Sequence, residues 1–147
     1  MPQFSETKIL PYIAQDLFDL VLDVEKYPQF LPWADKAHVY SHEGESFFAD
    51  LTIGYKLLSE TYTSRVTFCP HLWIHVEATQ GPFKWLKTQW RFEEISPTKT
   101  SISFHIDFAF KSSLFSSMFS SVFNQAAPHI LGAFEQRAEA LLAQQDF

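Results

Sequence analysis

Two hydrophobic periods divide the chain. Ile13, Leu17, Leu20, Val21 and Val24 recur at helical spacing, opposite Gln15, Asp16, Asp19 and Asp23, and predict an amphipathic helix over residues 13 to 24. A short strand over residues 3 to 10 precedes it. Because a proline disfavours helical geometry in the residue ahead of it, this helix should end before Tyr27-Pro28. Phe30, Leu31 and Trp33 then place three large apolar side chains in a loop or single turn, so they must cover something.

From about residue 36 to 110 the period becomes twofold and the connections short, which is the pattern of an antiparallel meander. Phe47, Ala49, Leu51, Ile53 and Tyr55 share one strand face, and Leu58, Tyr62, Val66 and Phe68 share the next. Leu72, Ile74, Val76 and Ala78 make a third, and after the turn signal Gly81-Pro82 come Leu86, Trp90 and Phe92. Ile102, Phe104, Ile106, Phe108 and Phe110 form the clearest strand. Each strand has one apolar and one polar face, so the sheet needs a cover on one side only. After Lys111 the helical period returns for about 30 residues, starting near Ser113, and supplies that cover. The result is an α+β arrangement, and without linkers or repeats it reads as one domain over residues 1–147.

The last helix carries an irregularity. Leu114-Phe115, Met118-Phe119 and Val122-Phe123 repeat every fourth residue, a step that drifts by about 40° per repeat on a helix of 3.6 residues per turn. Some of these side chains must leave the core, and a kink at Pro128 would let Leu131, Phe134, Ala138 and Leu141 reset the buried face. The segment reads equally as a contact for a membrane or partner and as a locally unwound turn that keeps its rings buried.

A formal charge of -6 gives no electrostatic reason to approach nucleic acid, so no DNA partner is expected. The single cysteine, Cys69, excludes an internal disulfide and a thiolate metal cluster. His38 with His42, and His71 with His75, would lie about 13 Å apart on strands, too far to share one ion, so no metal site is expected. No run approaches a secretory core or the roughly 20 apolar residues of a membrane span, which places the chain in the cytoplasm or peripherally on the cytoplasmic face of the inner membrane. The aromatic content of 17%, with sixteen Phe, fits either a packed core or the walls of a cavity, and composition alone favours the core.

Three separated motifs shift that balance. Asp23-Val24-Glu25-Lys26-Tyr27-Pro28 with Phe30-Leu31-Pro32-Trp33, Gly81-Pro82-Phe83-Lys84 with Leu86, Trp90 and Phe92, and Asp107-Phe108-Ala109-Phe110-Lys111-Ser112 occur in order. In this the chain resembles the coenzyme Q-binding proteins of the START-like (polyketide cyclase) superfamily, whose bacterial members are also called ribosome association toxins. The resemblance implies a helix-grip fold, a curved antiparallel sheet wrapped around the C-terminal helix. It also implies ubiquinone bound between them, a chaperone role in respiratory electron transfer, and neither a required cofactor nor catalytic residues. Ala34 stands where the family often has a cysteine, so no thiol role is carried over.

On this reading Tyr55, Tyr62, Val66, Trp90, Phe92, Phe104, Phe108, Phe119 and Phe123 wall the cavity. Glu60 and Ser64 fall in register with Tyr62 and Val66 and are the candidate polar contacts for a quinone carbonyl, unless a bulge turns Glu60 outward. Phe30, Leu31, Trp33 and Phe83 form either a mouth that opens toward a membrane or a permanently closed lid. Two other function classes stay open. One is association with the large ribosomal subunit, blocking subunit joining; the other is a cyclase-like enzyme, for which only Glu60, Tyr55 and Tyr62 could supply acid–base chemistry.

Overall fold

The computed structural model describes residues 3–55 and 58–142, with the side chains of Tyr55, Leu58 and Val122 outside the description. The elements run β1 (Gln3–Leu10), α1 (Ala14–Leu22), a 3-10 helix (Val24–Gln29), β2 (Ala34–Tyr40), β3 (Ser46–Tyr55), β4 (Leu58–Cys69), β5 (Trp73–Gln80), β6 (Phe83–Ser96), β7 (Lys99–Phe110) and α2 (Ser113–Leu142). All seven strands join one sheet in the order β1-β7-β6-β5-β4-β3-β2, antiparallel throughout. Only β1 departs from a simple meander, because it crosses over to pair with β7.

The twofold alternation survives as burial. On β6, Leu86, Thr88, Trp90 and Phe92 are buried while Lys87, Gln89 and Arg91 are exposed. Phe83 has the wrong parity for that face, yet it is buried. A bulge explains it: Phe83 pairs with Phe110 and Trp85 with Ala109, so Lys84 is an extra residue that shifts the alternation by one. The same strand therefore delivers Phe83 and Leu86 to one side.

Helix α1 is shorter than its periodicity predicts. Val24 begins a 3-10 helix that continues through Pro28, so the backbone tightens at the end of α1 instead of opening into a loop. Leu17, Phe18 and Val21 face inward, and Phe18 meets Phe92 and Phe68 edge-on or tilted. Strand β5 also starts later than expected, at Trp73. Its predecessor Leu72 sits in the turn after His71, whose φ is +67°, and is 56% exposed.

Helix α2 lies over the open face. Phe119, Ala127, Leu131, Phe134 and Ala138 form its buried stripe, and Leu114 is 66% exposed, so the drift in the four-residue repeat does carry a side chain off the core. The helix continues through Pro128, which lies on the exposed side together with Asn124, where water can serve the carbonyl freed by the missing N–H. Lys8 Nζ bridges to Glu135 Oε1 at 3.0 Å and ties the far end of α2 to β1. Among the described residues no helix is long and apolar enough to cross a membrane.

Candidate ligand-binding site

The curved sheet and the 30-residue helix do not mesh along their whole length, and the gap between them forms two adjoining hollows of about 130 Å³ each. Trp33, Tyr62, Ile106 and Ile130 belong to both walls, so the hollows are lobes of one cavity meeting at that neck. An engineered apolar cavity of about 150 Å³ binds benzene, so each lobe has room for about one ring or an equivalent length of branched chain.

The outer lobe lies beneath the first half of α2. Phe83, Leu86 and Phe108 from the sheet oppose Phe119 and Phe123 from the helix, and Phe108 and Phe123 meet edge-on at 4.6 Å between centroids. The rings form a continuous series. Phe115 stacks on Phe110, Phe110 on Phe83 at 4.8 Å, and Phe83 meets Tyr62 edge-on at 5.1 Å, leading from the half-exposed start of α2 to the neck. Gly81 is required for this arrangement, since its φ is +128° and a Cβ there would stand 2.6 Å from Tyr62 Cβ.

The inner lobe has more fully buried walls and is chemically different. Val66, Trp90, Phe104 and Phe134 wall it, but Ser64 and Thr88 also face it, each less than a tenth exposed. Ser64 Oγ is buried with no hydrogen-bond partner. Tyr62 and Tyr27 add two phenols, and burial raises the pKa of both, assisted for Tyr27 by Tyr62 and Asp23. Both are therefore protonated donors well above neutral pH. The Tyr27 hydroxyl donates to the Val21 carbonyl and is committed, whereas that of Tyr62 has no such partner among the described residues. Among the described residues neither lobe is lined by Asp, Glu, His, Lys, Arg or Cys.

Of the residues singled out from sequence, Ser64, Val66, Trp90 and Phe104 line the inner lobe, Phe108, Phe119 and Phe123 the outer one, and Tyr62 both. The side chain of Tyr55 lies outside the described residues. Phe92 requires correction: it shares the Trp90 face but sits further along β6, where Phe18 of α1 packs on it and removes it from the cavity. Glu60 pairs with Ile53 across β3 and belongs to neither wall. It keeps partial exposure, as a carboxylate that would lose its hydration inside must.

Among the proposed mouth residues, Leu31 lines the inner lobe, Trp33 both and Phe83 the outer. Phe30 does not. It packs edge-on against Tyr27 and Phe134, with the Arg137 guanidinium over its ring at 5.2 Å. Arg137 Nη2 also donates to Gln29 Oε1 at 2.8 Å, and Gly54 N–H donates to the Trp33 carbonyl at 2.9 Å. The segment 24–33 is thereby tied to α2 on one side and β3 on the other. Ile53, Ile106, Ile130 and Thr88 also line the cavity; parity puts Ile53 and Ile106 on the apolar strand faces, and the even position of Thr88 on β6 was its available signal.

The geometry has counterparts in known proteins. Residues 10–135 match the family model described as polyketide cyclase / dehydrase and lipid transport. The chain is 40% identical to the ribosome association toxin RatA of Rickettsia prowazekii over 97% of its own length and 99% of that protein's. It is 32% identical to the mitochondrial coenzyme Q-binding protein coq10 of Schizosaccharomyces pombe, over 92% of this chain and 86% of that one. The crystal structure of the Zhui aromatase/cyclase from Streptomyces sp. R1128 superposes with a TM-score of 0.81 at 17% identity, covering 94% of this chain and 93% of that chain, a likeness of fold.

Proposed function

Since the chain belongs to the polyketide cyclase / dehydrase and lipid transport family, whose helix-grip fold it shares, we propose that it is a carrier for a polyprenylated quinone of the ubiquinone type. The observation that carries this reading is the cavity itself. Two ring-sized lobes whose described walls are aromatic and branched side chains without charge, with a few hydroxyls at the inner end, match what an apolar molecule with a small polar group needs. The coenzyme Q-binding name of the coq10 relative supports the same ligand class.

A long isoprenoid tail exceeds the two lobes, so part of it must lie outside. The start of α2 suits a membrane surface at that exit: Leu114 is exposed, Lys111 is cationic, and no acidic residue occurs between Asp107 and Glu135. The protein then works peripherally, taking quinone from one site in the bilayer and returning it to another. The enzymatic alternative has little to work with, because the described lining offers protonated tyrosines but no carboxylate, imidazole or thiol.

A second reading, association with the large ribosomal subunit, is supported by the name of the 40% identical relative. The two differ in what they leave on the purified protein. Mass spectrometry of an organic extract should find a polyprenylated quinone at near-stoichiometric amounts, and stripped protein should take up added ubiquinone. A clean extract, no uptake and co-sedimentation with 50S particles would overturn the carrier reading in favour of the ribosomal one.

A further inference from the structure

The two lobes differ in one respect that the carrier reading does not use. Every described side-chain hydroxyl in the cavity is at the neck or inward of it: Tyr62 at the neck, and Ser64, Thr88 and Tyr27 in the inner lobe. Ser64 is 3% exposed and its Oγ has no partner, although a buried polar group ordinarily has one. Its backbone is held where β4 meets an irregularity, since Ser64 pairs with Ala78 and Thr63 with Gln80, leaving Thr79 as an extra residue in β5. Thr88 approaches from β6 across Val76, to which it is paired, so the two hydroxyls face the same space from different strands. Beyond the neck, toward the start of α2, the described wall consists of phenyl rings with Ile53, Gly54, Leu86, Ala126 and Ala127, and none of these carries a hydroxyl or amide side chain.

We infer that the lipid is bound head-inward: its carbonyl-bearing ring occupies the inner lobe and accepts hydrogen bonds from Ser64, Thr88 and Tyr62, while its apolar tail passes the neck and leaves along Phe83, Phe108, Phe119 and Phe123. This rests on the carrier reading and adds polarity to it. Hydroxyls donate to a ring carbonyl that would otherwise lose its water, and the tail gains nothing from polar walls. Head-inward binding also places the redox-active ring among the more fully buried walls, those of Ser64, Val66, Thr88, Trp90 and Phe104. Orientation is thereby set by Ser64, Thr88 and Tyr62, not by the mouth.

The four tryptophans make the orientation measurable, because a quinone ring quenches indole emission at short range. Trp90 lines only the inner lobe and Trp33 lines both, whereas Trp73 stacks on His75 and the Trp85 indole donates to Asp107, both on the outer face. Two proteins are needed, each retaining a single tryptophan at 90 or at 33, with Phe at the other three positions. They are titrated with ubiquinone-2 in detergent. Head-inward binding predicts that Trp90 loses most of its emission at saturation. Ser64→Ala should weaken ubiquinone-2 binding by roughly two- to tenfold, the loss of one hydrogen bond, and leave binding of squalene, which has no carbonyl, unchanged. Saturable quenching of Trp33 with Trp90 untouched would overturn the orientation but leave the carrier reading intact. No saturable quenching of either tryptophan, with no uptake by mass spectrometry, would overturn both.

Discussion

Ser64 is the position where stability and function pull apart. An unpaired buried hydroxyl costs on the order of 1–3 kcal/mol, so Ser64→Ala should raise the urea midpoint of the ligand-free protein even as it weakens quinone binding. A purely structural serine would lose stability on the same change. The tyrosines give a second signature. Tyr27 and Tyr62 have pKa values raised above the ordinary value of 10.0, chiefly by burial, so the folded state holds protons that the unfolded chain releases above pH 10. Their contribution is complete below that pH and is lost as pH rises from there. Urea unfolding at pH 9 and pH 11 should show a marked fall in midpoint, smaller in the Tyr27→Phe, Tyr62→Phe double variant. Gly81→Ala adds strain at φ +128° and a contact with Tyr62, and should lower stability by about 1–3 kcal/mol by chemical denaturation.

At the scale of elements, the strands and both helices were legible because period-2 and period-3.6 patterns are written in the residues that bury them. Strand β1 and the start of α2 fall at Gln3–Leu10 and Ser113, as the pattern indicates. The cavity was legible only in part. Parity places Trp90 and Phe92 on one face, but whether such a side chain meets a void or another side chain depends on where α1 and α2 cross the sheet, which no local pattern encodes. Phe92 meets Phe18, and Phe30 meets Phe134, for this reason. Ile106 shares the Phe104 face by parity and Ile130 lies on α2, but that the two meet at the neck depends on the same crossing. The registration of α2 on the sheet depends on packing more than on charge: Lys8–Glu135 is a half-exposed pair worth little, whereas Leu131 is fully buried. Leu131→Ala should cost about 2–5 kcal/mol in urea unfolding.

The whole molecule is a sheet of seven strands gripping a 30-residue helix, with a ring-walled space where the two do not mesh. That space is what distinguishes a carrier from a merely aromatic core, and a saturating ligand bound there should stabilise the fold by mass action. The isoleucines are placed to test its occupancy directly. Ile53, Ile106 and Ile130 line the cavity, while Ile9, Ile13 and Ile95 are exposed on the outside. Isoleucine methyl NMR during titration of the ligand-free protein with ubiquinone-2 should show saturable shifts at Ile53, Ile106 and Ile130, with Ile9, Ile13 and Ile95 unmoved. Shifts confined to the exposed isoleucines, or none at any concentration, would contradict the account.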